Sequence, residues 1–121
     1  MFQVKADKSR NLLEIAFSGE VDAAAVKQCV EQVERLLGGL EKGFTLLNNL
    51  SGLENMQLDC APLLAHSMEL CNQAGVGRIV RVIPDPKKDI GLNILSRFHY
   101  PPQIKIVTCE TLAEALKLLA R

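Results

Sequence analysis

The chain has 121 residues, 48% of them hydrophobic and 23% charged, with 14 basic residues balanced by 14 acidic ones. That length fits one domain over residues 1–121 with a core of its own, and the zero net charge argues against binding to nucleic acid or to an anionic membrane. No apolar run approaches the roughly 20 residues that span a bilayer, and Met1-Phe2-Gln3-Val4-Lys5 carries no secretory pattern, so the expected compartment is the cytoplasm.

The elements follow in order. Phe2, Val4 and Ala6 alternate with Gln3, Lys5 and Asp7, a half-buried strand, and the polar turn 7–11 leads straight into a second strand over 12–17. So short a turn joins antiparallel neighbours and puts the first strand at a sheet edge. Asp22 caps a helix striped by Val26, Cys29, Val30, Val33, Leu36 and Leu37, and Gly38-Gly39 stops it in a left-handed turn. A short strand over 44–47 is followed by Asn48-Asn49-Leu50-Ser51-Gly52 as a loop. A second helix runs over 60–74 with Asp59 as its cap, and Gly75-Val76-Gly77 ends it.

Residues 78–83 form a strand. Asp85-Pro86, a cap followed by proline at the first helical position, opens a third helix, and Pro101-Pro102 prevents its continuation. Residues 104–107 are the last strand. Thr111 and Glu114 make a capping box for the final helix, whose stripe is Leu112, Ala115, Leu116 and Leu119. The order is ββαβαβαβα, an α/β domain with a mixed sheet that is parallel after its opening hairpin and packed by helices.

Several residues carry potential chemistry. Cys29, Cys60, Cys71 and Cys109 form no C-x-x-C pair and match no zinc spacing, so no metal site is expected. Cys29 and Cys71 fall on apolar helix positions and read as buried thiols. Cys60, in the first turn of a helix, meets the positive end of the helix dipole, which favours a reactive thiolate. Asp59 opposes it by like charge, and His66 lies roughly 120° around the helix, so an inert thiol is expected. His66 and His99 read as a solvated surface group and a helix C-terminal group, with no relay partner at a useful spacing.

Gly75-Val76-Gly77 lacks the third glycine of a nucleotide fingerprint and precedes a strand. Arg78, Arg81, Lys87, Lys88, Arg97 and Lys105 share a stretch whose acids are Asp85 and Asp89, a solvated face with some attraction for an acidic partner. Helix two is apolar over more than half its circumference. Ala61, Leu64, Ala65 and Met68 make one face, and Leu63, Leu70 and Ala74 extend it, which marks the second group as a candidate interface.

The stretch Leu46-Leu47-Asn48-Asn49-Leu50-Ser51-Gly52-Leu53 resembles the strand-and-loop signature of STAS domains, the sulphate-transporter and anti-sigma-factor-antagonist or SpoIIAA-like family. Phe17-Ser18-Gly19-Glu20-Val21-Asp22 resembles that family's step into its first helix, and Thr111-Leu112-Ala113-Glu114-Ala115-Leu116 resembles its ending. The resemblance covers nearly the whole chain. It implies a STAS/SpoIIAA-like fold and a non-enzymatic, cofactor-free regulatory role with a protein partner, of the anti-sigma kinase type, or a homodimer. The family's phosphorylatable serine, in the loop equivalent to Asp59-Cys60-Ala61, falls on Cys60, which has no hydroxyl to accept phosphate. Asn49 stands where the family usually has Asp. The alternative reading is a small carrier holding an apolar ligand or lipid between helix two and helix three, which requires an apolar cavity of roughly 300 Å³ or more.

Overall fold

A computed structural model of the chain describes residues 1–85, 96–97 and 99–120. Five strands form one sheet in the order β1-β2-β3-β4-β5, the order in which the chain makes them. They are β1 (Phe2–Asp7), β2 (Leu12–Val21), β3 (Thr45–Met56), β4 (Arg78–Val82) and β5 (Lys105–Cys109). The opening hairpin is antiparallel, with Phe2 opposite Phe17 and Asp7 opposite Leu12. β2, β3, β4 and β5 run parallel. Both the edge position of β1 and the switch to parallel pairing agree with the sequence.

Helices α1 (Ala23–Leu37) and α2 (Ala61–Gln73) connect the parallel strands, and α3 (Leu112–Leu119) closes the chain. The helix expected from Asp85-Pro86 lies mostly outside the described residues; Ser96 and Arg97 are helical.

Strand alternation divides the apolar residues between two cores. Leu13, Ile15, Phe17, Leu46 and Ile79 face α1 and α2, where Val26, Cys29, Val33, Met68 and Cys71 meet them. Leu12, Leu47, Val80, Val82 and Cys109 face the other way and pack on Ala115 of α3. Asp22 caps α1 as expected, its Oδ1 accepting the Ala25 N–H at 2.9 Å. Thr111 caps α3, its Oγ1 accepting the Glu114 N–H at 3.1 Å.

Four expectations need correction. The segment 48–52 is strand and not loop, because β3 continues to Met56 while pairing with β2 as far as Val21. Gly38 caps α1 with φ −62°, a right-handed conformation, and the chain leaves through a tight turn in which Gly39 N–H donates to Leu36 O at 3.1 Å. The inner face of α3 is Ala115 with Leu118 and Leu119, which leaves Leu112 and Leu116 exposed. Arg81 belongs to no solvated face: it is fully buried and hydrogen-bonds Ser96. It follows Ile79 by two on β4, so it points into the larger core.

Candidate functional site at the corner between β3 and α2

Beyond Asn49, β3 leaves β4 and pairs on with β2, Gly52 opposite Ser18 and Met56 opposite Val21. The departure is held by Asn49, whose Oδ1 accepts both the Ser51 N–H at 3.0 Å and the Ser51 hydroxyl at 2.6 Å. Leu50, Leu53 and Met56 are buried, pinning this arm to the core by every third residue. The chain then turns. Gln57 N–H donates to Val21 O at 3.2 Å, and a 3-10 turn over Leu58–Cys60 closes with Cys60 N–H on Gln57 O at 3.1 Å.

The corner separates its side chains sharply. Cys60 is 1% exposed and Leu58 is 94% exposed. Asp59 is not the cap of α2. It sits inside the 3-10 turn, and Cys60 takes the cap position with no side-chain hydrogen bond. Proline in the first turn of α2, Pro62, starts the helix where its missing N–H costs nothing. Ala61 is half-buried at the start of the helix.

The chemistry of Cys60 follows from its surroundings. Its Sγ lies 3.9 Å from Val21 O. Burial pushes the thiol pKa up, the carboxylates of Asp59 and Asp22 push the same way, and only a backbone hydrogen bond from the Gln57 region acts against them. The helix-end activation of a thiolate is therefore overruled. Cys29 and Cys71 are pushed up to about 12 by burial, and Cys109 is raised for the same reason. All four cysteines are free and buried.

The candidate interface residues lie elsewhere on α2. Leu63, Leu70 and Ala74 are half-buried and pack against the larger core from its rim. They are thus not one exposed stripe. The large apolar side chain that the corner leaves in water is Leu58, which periodicity did not mark. Its only sequence signal was a lone leucine between Gln57 and Asp59.

His66 is exposed. His99 Nδ1 meets Glu69 Oε1 at 2.5 Å, which ties the segment around Ser96 and His99 to α2. Arg78 is committed as well, donating to Thr45 Oγ1 at 3.0 Å and to Leu118 O at 3.4 Å. Among the described residues no three His, Cys, Asp or Glu side chains gather as a metal site, and no helix is long and apolar enough to cross a membrane.

The cavity of the carrier reading, between helix two and helix three, falls mostly outside the described residues. Another space lies between the sheet and α1 and α2. It is lined by Phe17, Val30, Asn48, Met56, Leu64 and Tyr100, among others, and its volume is ≈ 30 Å³. That holds about one water molecule and falls far below a ligand cavity. This core is filled by its own side chains.

A five-stranded mixed sheet, antiparallel at one edge, with α1 and α2 against one face and α3 against the other, is the SpoIIAA-like fold. The anti-sigma factor antagonist SpoIIAA in its unphosphorylated form superposes with a TM-score of 0.65 at 22% identity, over 99% of this chain and 98% of that one. A protein of the DUF3478 family with a SpoIIAA-like fold, from Shewanella loihica, gives 0.71 at 15% identity over 98% and 93%. An anti-sigma factor antagonist from Mycobacterium paratuberculosis gives 0.60 at 18% identity over 100% and 96%. Neither a protein-family model nor a curated protein matches this chain.

Proposed function

We propose that the chain is a non-enzymatic, cytoplasmic regulatory module that binds a protein partner, in the manner of the anti-sigma factor antagonists whose fold it shares, without a phosphorylation switch at position 60. The docking surface is the corner between β3 and α2, with Leu58 as its apolar anchor and the half-buried Leu63 at the start of α2 as its flank; Leu70 and Ala74, at the far end of α2, lie outside it. The observation that carries this reading is Leu58, 94% exposed immediately before α2. A leucine left in water forgoes roughly 1.5–3 kcal/mol that burial would return, and the 3-10 turn over Leu58–Cys60 holds it outward.

Position 60 supports the absence of the switch twice over: its side chain is a thiol, and it is buried. Of the two hydroxyls nearest in sequence, Ser51 is exposed and hydrogen-bonded to Asn49, and Ser67 is half-buried. The partner is a protein of the anti-sigma kinase type, or a second copy of the chain. Titration calorimetry against such a kinase from the native source, with light scattering of the chain alone, tests the reading. Binding or dimerisation that weakens by roughly 10- to 100-fold in Leu58→Glu is the expected result. A chain that stays monomeric and binds no kinase contradicts it.

A further inference from the structure

The far edge of the sheet carries a second surface that shares no residue with the corner. Among the described residues β5 pairs with β4 alone. Ile83 N–H donates to Cys109 O at 2.9 Å. In a strand, the N–H and C=O of one residue point to the same side and alternate from residue to residue. Cys109, Val107 and Lys105 therefore turn their backbone groups toward β4, and Ile106 and Thr108 turn theirs to the other side, where no described strand pairs with them.

Beside this edge runs a groove of ≈ 290 Å³, lined by Arg97, Tyr100, Pro101, Ile104, Ile106 and Thr108. Edge strands are commonly blunted by a charged side chain or a proline at the outward positions. Here those positions carry isoleucine and threonine.

We propose that the edge of β5 accepts an extended, acidic segment of a protein partner as a sixth strand. Backbone hydrogen bonds to Ile106 and Thr108 would hold the segment, and its alternate apolar side chains would enter the groove. Charge selects the sign of the partner: Arg97 is exposed at the groove and Lys105 is exposed on the strand.

The test is a titration of the isotope-labelled full chain, followed by amide NMR, with a peptide of alternating glutamate and valine about seven residues long. A lysine-valine peptide of the same length is the control. The expected result is saturable shifts and slowed solvent exchange at the Ile106 and Thr108 amides. The acidic peptide should bind at least about tenfold more tightly, and added salt should weaken it. Thr108→Pro deletes an outward N–H and keeps the ladder to β4; it should abolish binding. Arg97→Glu, which leaves the strand untouched, should weaken it by about tenfold or more. Shifts confined to other surfaces, equal binding of both peptides, or binding that survives both substitutions overturns the proposal. So does the same shift on raising the concentration of the chain alone, which would assign the edge to self-pairing.

Discussion

Cys60 and Leu58 are two residues apart and have opposite fates. The sequence placed Cys60 at a helix start, where the dipole favours thiolate, and the like charge of Asp59 already argued against reactivity. The structure adds the decisive cause, burial. A thiol-specific colorimetric reagent should therefore modify none of the four cysteines in the native chain near neutral pH and all four in denaturant. Rapid modification of one native thiol would contradict the burial.

The raised thiol pKa values also set a pH dependence. Cys29 and Cys71 titrate at about 12 when folded, against an ordinary value of 9.0. Between those values the folded chain holds protons that the unfolded chain has released. Stability is thus undiminished below about pH 9 and falls as pH rises above it, by up to about 1.4 kcal/mol per unit for each thiol. Urea midpoints measured from pH 8 to 11 check the sign. Leu58 was not legible in advance, because hydrophobic periodicity cannot tell an outward leucine in a 3-10 turn from an inward one in a helix. Leu70 was legible as apolar but not as half-buried. Leu70→Ser should cost about 1–2 kcal/mol by denaturant unfolding, less than a fully buried leucine, whereas Leu58→Glu should leave stability within about 0.5 kcal/mol of the parent.

Among the elements, the caps Asp22 and Thr111 transferred from sequence to structure, since each meets a local need that no distant contact overrides. Asp59 did not, because a 3-10 turn takes it in and leaves the cap position to Cys60. The glycines after α2 were read only as an end to the helix, and their reason is tertiary. Gly75 adopts φ +90°, a left-handed conformation that ends α2. A side chain at Gly77 would lie 2.8 Å from the Gly43 carbonyl oxygen and 3.0 Å from its Cα, against backbone that cannot give way. Gly77→Ala should destabilise the chain by about 1–3 kcal/mol in chemical denaturation; an unchanged midpoint would contradict this close approach. The strand β3 was misread for a related reason. Asn, Ser and Gly signal a loop locally, yet pairing with β2 keeps residues 48–52 extended.

At the scale of the whole molecule, the alternation of strands and helices after one hairpin was enough to give the mixed sheet, with β1 at its edge and a parallel portion; the order of the parallel strands came from the structure. The sharing of apolar residues between two faces was not readable, because continuous runs such as Ile79, Val80, Val82 and Ile83 do not say which side a helix will cover. Nor did the count of basic residues reveal that Arg81 is a core residue. The SpoIIAA-like fold frames three features of this chain: a buried thiol at position 60, an outward leucine before α2 and, among the described residues, a strand β5 paired with β4 alone.

The account stands most directly on where a partner lands. Titrating the isotope-labelled chain with an anti-sigma-type kinase of its native source, with ATP present, and following the backbone amides together with intact mass, reads both parts of the claim. The account predicts shifts centred on Gln57, Leu58, Asp59 and the first turn of α2, with no mass gain at position 60. Shifts that leave this corner untouched, or no binding at all together with a monomeric chain, would contradict it.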